Sequence, residues 1–174
     1  GIGIPRFSFE WIDRFARNGP VIRKINNDKI NVALFLSGEN YEVNSESLKE
    51  TVDWMINSNL INLTIKPHPR VGLSGLDKNN LPIASKVSEL NSSDIIEWAD
   101  VGIIYGTSIA LEMIIEGVVV VVPRYIDKNK TILEDKNVCV VIDSLCQLAD
   151  FFDKYPDKTM LPDKIDIDNF IKDT

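Results

Sequence analysis

Five consecutive valines, Val118 to Val122, stand between Gly117 and Pro123. A strand with one face in water alternates apolar and polar residues, because successive side chains point to opposite sides. No position in this run alternates toward water, so both faces must be covered. That is the condition of a central strand in a parallel sheet with helices above and below it. At five residues the run is far too short to cross a bilayer.

The residues leading into the valines complete a unit. Val101 to Ile104 is a short apolar run that ends at Tyr105-Gly106, and Thr107-Ser108 then opens a helix that Gly117 closes. The order is strand, tight turn, helix, strand. Gly106 lets the backbone turn sharply and come close to a ligand. The N–H groups at the start of the helix are expected to offer an anion site. Ser108 and Glu112 are four apart and share a helical face, so a phosphate at Thr107 and Ser108 leaves Glu112 placed for a sugar hydroxyl. The plainer alternative makes Ser108 only the N-cap, with Glu112 and Glu116 marking the solvent stripe.

The rest of the chain repeats the alternation. Asn31 to Leu36 reads as a buried strand ending at Ser37-Gly38-Glu39, and Ser45 to Asn57 as an amphipathic helix with Leu48, Val52, Met55 and Ile56 inward. Ser47 and Glu50 have the spacing of a capping box. Leu60 to Ile65 is the next strand, and it runs into Lys66-Pro-His-Pro-Arg70. Val71 to Asn80 reads as a loop, Leu81 to Val87 as a weaker edge strand holding Pro82, and Ser92 to Asp100 as a short helix. Beyond the valines come a strand over Lys136 to Ile142, a helix over Ser144 to Tyr155 and a terminal helix around Asp166 to Lys172. Near the start, Phe7, Trp11 and Phe15 recur every four residues as a helical stripe. These patterns predict one α/β domain: a doubly wound, mainly parallel, Rossmann-like sheet with helices on both faces. Residues 1–20 are expected to form a hinge or linker helix and residues 21–174 the Rossmann-like domain.

Charge narrows the partners. A net charge of -7 argues against nucleic acid, whose phosphates demand a basic face. Cys139 and Cys146 lack metal-ligand spacing, read as reduced core thiols, and fit a cytoplasmic protein. No basic stretch followed by an apolar one opens the sequence, so no secretory leader is expected. The chain enters structured-looking sequence directly at Gly1, as a piece of a longer protein would.

In doubly wound sheets, ligands bind beyond the carboxyl ends of the strands. Four of the strands end in polar turns: Ser37-Gly38-Glu39, Lys66-Pro-His-Pro-Arg70, Gly106-Thr107-Ser108 and Pro123-Arg124. A parallel sheet places all four on one edge. His68 is the chain's single histidine, held between two prolines and flanked by Lys66 and Arg70 in an otherwise acidic protein. Its imidazole can donate to a phosphate oxygen. No second His or Cys stands at metal spacing, so no metal is expected. Walker and Gly-x-Gly-x-x-Gly loops are absent, and Ala110 stands where a nucleophile elbow requires its second glycine.

Lys66-Pro-His-Pro69, then Gly106-Thr-Ser-x-Ala-Leu-Glu112, then Gly117 and the valine strand to Pro123, resembles the C-terminal half of GT-B glycosyltransferases. The flavour is that of bacterial surface and capsular polysaccharide enzymes, such as sialyl-, Kdo- and polyol-phosphate transferases with His-Pro and Ser/Thr motifs. Pro5-Arg-Phe-Ser-x-Glu-Trp11 is similar to the hinge leading into that half, and the likeness spans roughly residues 1–155. It departs from the pattern at Gly117-Val118-Val119, where Gly-x-Pro is usual.

The resemblance implies a domain that binds a CMP-, UDP- or CDP-linked sugar, with His68, Thr107 and Ser108 on the donor phosphate and Glu112 on the ribose. Lys66, Arg70, Gly106 and Arg124 complete the expected donor site, and no cofactor is implied. An N-terminal acceptor-binding half would supply the catalytic base and meet a membrane-associated glycan acceptor, so this chain alone should not turn over. The full protein would be cytoplasmic or peripheral to the inner membrane face. Two other readings remain: half of an epimerase or hydrolase of the same two-domain build, such as a nucleotide-sugar 2-epimerase, which needs more acidic and histidine groups, and a receiver-like or other doubly wound regulatory module, which needs an acidic cluster after its first strand.

Overall fold

The structure is a computed structural model that describes residues 29–37, 43–73, 76, 81–105 and 107–173. The Phe7, Trp11 and Phe15 stripe, Gly38-Glu39 and Gly106 lie outside these residues. In chain order the elements are β1 (Ile30–Phe35), α1 (Ser45–Asn57), β2 (Ile61–Lys66), α2 (Leu81–Ala84), α3 (Ser92–Trp98) and β3 (Val101–Ile104). They continue with α4 (Ala110–Ile115), β4 (Val119–Pro123), α5 (Ile132–Asp135), β5 (Val140–Ile142), α6 (Leu145–Lys154) and α7 (Lys164–Asp173). The five strands form one sheet in the order β2-β1-β3-β4-β5, with every neighbouring pair parallel. This is the doubly wound, Rossmann-like α/β class expected from the valine run.

The run splits between the two faces. Val119 and Val121 join a core with Val32 and Leu34 of β1, roofed by Leu48, Val52 and Met55 of α1 and by Phe151 and Phe152 of α6. Val118, Val120 and Val122 join the opposite core, where Ile95, Ile96, Met113, Ile114 and Phe170 come from α3, α4 and α7. All five valines are buried. Gly117, at φ 75°, ends α4 in the left-handed conformation that glycine adopts without a Cβ clash. Its N–H bonds to the Ile114 carbonyl and the Val118 N–H to that of Met113, which turns the chain directly into β4.

Several local expectations change. Leu81 to Val87 is not a strand. Leu81–Ala84 is a helical turn, with Pro82 near its start where a missing N–H costs little. Only Val87 pairs with the sheet, in a parallel bridge to Ile65. The α1 cap is Asn44, whose side chain accepts from the Ser47 N–H, rather than a Ser47–Glu50 box. At the start of α5 the Glu134 carboxylate reaches back to accept from the Thr131 N–H, one half of a capping box. Cys146 is exposed on α6 and only Cys139 is partly buried, so the two are not both core thiols. Burial pushes the Cys139 thiol up to about 12, with a smaller push from Glu134 and an opposing pull from Arg124. Among the described residues, no helix is long and apolar enough to cross a membrane.

Candidate functional site

The chain leaves β1 to one side for β2 and returns to the other side for β3, so the strand order reverses between β1 and β3. Connections diverge at such a point and leave a crevice beyond the carboxyl ends of the two strands. Adjacent strands lie about 4.8 Å apart, so the ends of β2 and β3 flank that of β1 across about 10 Å.

At the β2 end, Pro67 to Gly72 folds into a tight turn. The His68 N–H donates to the Gly72 carbonyl at 3.0 Å and the Gly72 N–H returns to the His68 carbonyl at 2.8 Å. The Arg70 N–H donates to His68 Nδ1 at 3.3 Å. With Nδ1 accepting, a neutral ring carries its proton on Nε2, and that donor is the one left for a ligand. The Arg70 side chain is exposed. Lys66 is committed elsewhere, since its Nζ donates to the Leu90 carbonyl at 2.5 Å.

At the β3 end the helix starts later than its sequence suggests. Ser108 and Ile109 form a turn, regular helix begins at Ala110, and α4 is six residues long. Ser108 is therefore neither N-cap nor on a helical face with Glu112. The Ile109 N–H donates to Thr107 Oγ1 at 3.5 Å, so the Thr107 hydroxyl helps to hold the turn. Ser108 is exposed and Glu112 half-buried. A helix this short has a weak macrodipole, so an anion here would depend on turn N–H groups and hydroxyls.

The β4 end departs from expectation more sharply. Arg124 Nε donates to Glu134 Oε2 at 2.7 Å and its Nη2 lies 2.5 Å from the same oxygen. Glu134 Oε1 accepts from the Thr131 N–H at 2.8 Å. Arg124 thus neutralises a carboxylate that caps α5, and its charge is spent within the fold. Lys66 and Arg124 are the two expected phosphate cations that the structure gives other partners. His68 and Arg70 on β2's turn, and Thr107 and Ser108 on β3's, share one sheet edge.

Sequence reasoning missed the polar groups beneath this edge. Ser37, two residues beyond β1, is fully buried, and Tyr105, 1% exposed, directly follows β3. Burial drives the Tyr105 phenol well above its usual range. The Ser37 backbone N–H exerts a smaller opposing pull, though it falls short of hydrogen-bond geometry with the hydroxyl, and the Asp127 carboxylate adds a slight further rise. Asp127 is itself buried and accepts from the Asn129 N–H and side-chain amide at 2.9 and 2.8 Å. Beside them, the hydroxyls of Thr51 and Tyr125 meet at 2.8 Å. The available signal was a tyrosine closing an apolar strand. Asp127 sits in a stretch that reads only as loop. Among the described residues no group of three or more metal-binding side chains converges.

No family model matches this chain, and no curated protein is significantly similar to it.

Proposed function

We propose that the domain binds the nucleotide sugar of a glycosyltransferase that builds bacterial surface polysaccharide, as the donor half of a GT-B enzyme. The carrying observation is the His68 turn. It is pinned at the end of β2 with Nδ1 occupied, on the same sheet edge as the Thr107–Ser108 turn. The strand ends that carry these turns lie about 10 Å apart across β1, a gap that a phosphate group with a hydrogen bond of about 3 Å on each side can bridge. In this reading His68 donates to a phosphate oxygen, Arg70 supplies charge, the Thr107 and Ser108 hydroxyls hold the same group, and Glu112 faces the ribose. Gly106 would let the turn come close to the phosphate. Lys66 and Arg124 act from behind, shaping the two flanking segments. Stabilising the leaving phosphate is electrostatic preorganisation, and turnover also needs an acceptor hydroxyl placed by a second half.

Calorimetric titration of CMP, UDP and CDP, with and without EDTA, tests the reading. At least one nucleotide should bind, and EDTA should change nothing. His68→Ala should weaken that binding by roughly 1–3 kcal/mol, the worth of a hydrogen bond to a charged group. The unliganded midpoint should stay put, since His68 makes its side-chain contact within its own turn. Absence of binding at millimolar nucleotide would overturn the proposal.

The strand order also suits a regulatory module of receiver type, which has the same 2-1-3-4-5 arrangement. Stabilisation by magnesium and beryllofluoride, with no response to nucleotides, would favour that second reading.

A further inference from the structure

A groove of about 530 Å³ lies at the β2 edge of the sheet, on the α3 side and away from the carboxyl-edge crevice. It exists because β2 is an edge strand. α3 packs Ile95 and Ile96 against Ala33 and Phe35 of β1, and the corresponding face of β2 is left with exposed Asn62 and half-buried Thr64 as a floor. One wall is the 85–90 segment, bound to β2 by Ile65 N–H to the Lys86 carbonyl and Ser88 N–H to the Ile65 carbonyl. Lys66 ties the end of that wall through the Leu90 carbonyl. The other wall is α3, with Asp94 and Trp98.

The floor is preorganised. Asn62 Nδ2 donates to Asn31 Oδ1 at 3.2 Å, and Asn31 Nδ2 donates to the Trp98 carbonyl at 3.3 Å. Asn31 is itself anchored by its N–H to Asp100 Oδ2 at 2.9 Å. With its amide nitrogen turned inward, Asn62 is left with its carbonyl oxygen for the groove. The lining is rich in acceptors: that carbonyl, the Thr64 hydroxyl, and the exposed carboxylates of Glu89 and Asp94, against one cation, Lys86. Such a lining calls for a ligand with many hydroxyl donors and no phosphate. Trp98 adds an aromatic surface suited to the C–H face of a sugar ring. The volume lies within the roughly 300–1,000 Å³ of small-molecule sites.

We propose that this groove binds a neutral saccharide, edge-on to Asn62, Glu89 and Asp94 and against Trp98. The proposal does not rest on the nucleotide reading, because the two carboxylates disfavour phosphate. Saturation-transfer NMR and tryptophan fluorescence on the full chain, with maltotriose, chitotriose and laminaritriose as probes, test it. At least one trisaccharide should receive magnetisation and shift the emission. Asp94→Ala and Asn62→Ala should each weaken that binding about tenfold, as expected for one lost hydrogen bond. Both residues are exposed, so the thermal midpoint should hold. CMP titrated in parallel reports on the carboxyl-edge crevice alone, and its failure to bind would leave this groove's result standing. No transfer to any of the three sugars, wild-type affinity in both variants, or binding of trilysine in place of sugar would overturn the proposal.

Discussion

Gly102 lies in the middle of β3, paired with Ala33 of β1 on one side and Val120 of β4 on the other. A Cβ added there would stand 2.4 Å from Met113 Sδ and 2.9 Å from Met113 Cε. Comfortable contacts between such atoms begin near about 3.5 Å, so the thioether of Met113 must retreat by about 1 Å. A methionine end is flexible, but Met113 is fully buried in the core that α3, α4 and the sheet share, so its movement is resisted by that packing. Overpacking of this kind costs about 1–3 kcal/mol. Against it, alanine lowers the entropy of the unfolded chain by about 0.4–1 kcal/mol.

The net expectation for Gly102→Ala is a loss of about 1–2 kcal/mol, or about 3–6 °C in midpoint for a chain of this size. Urea unfolding followed by circular dichroism measures it. A double-mutant cycle identifies the cause. Met113→Ala alone should cost about 2–5 kcal/mol, and the pair should cost at least about 1 kcal/mol less than the sum, because the new methyl occupies space the sulfur vacated. A neutral or stabilising Gly102→Ala, or additivity within about 0.5 kcal/mol, would refute the view that this glycine sets how closely α4 approaches the sheet.

Glu134→Ala should cost about 1–3 kcal/mol in urea unfolding, since it strands the Thr131 N–H and Arg124. The usual penalty for a broken buried pair is reduced here because the Arg124 side chain is 32% exposed. Glu134→Gln, which can still accept from Thr131, should lose less. Alkaline pH should destabilise the fold. Burial, helped by the Asp100 carboxylate, raises the Tyr155 phenol from 10.0 to about 12, so above pH 10 the unfolded chain binds fewer protons than the folded one. Stability then falls as pH rises from the unfolded value toward the folded one. Tyr155→Phe should flatten that fall between about pH 10 and 12 in pH-dependent thermal melts, and an unchanged slope would count against it.

The parallel sheet was legible because burial on both faces leaves a direct trace in residue type. Val118 to Val122, Val101 to Ile104 and Asn31 to Leu36 have little or nothing polar to point at water, and each became a central strand. The α4 stop was legible for a similarly local reason, since Gly117 is the residue that tolerates the required φ. The shared edge of the Lys66–Arg70 and Thr107–Ser108 turns followed from strand direction alone.

Other features depended on contacts between residues far apart in the chain. Leu81 to Val87 has strand-like composition, yet only Val87 finds a ladder partner, and Pro82 suits the start of a helical turn instead. Arg124 looked like a phosphate cation because its position beyond β4 is visible in sequence, whereas Glu134, which claims it, approaches only when α5 folds back. The β2 groove needs an edge strand, an offset α3 and the tied 85–90 segment together, and none of these is written in any single stretch. Local sequence determined which segments are the central strands and where their polar turns lie, because burial and φ act residue by residue. The tertiary structure decided which charges remain for a ligand, because pairing is settled only when distant segments meet.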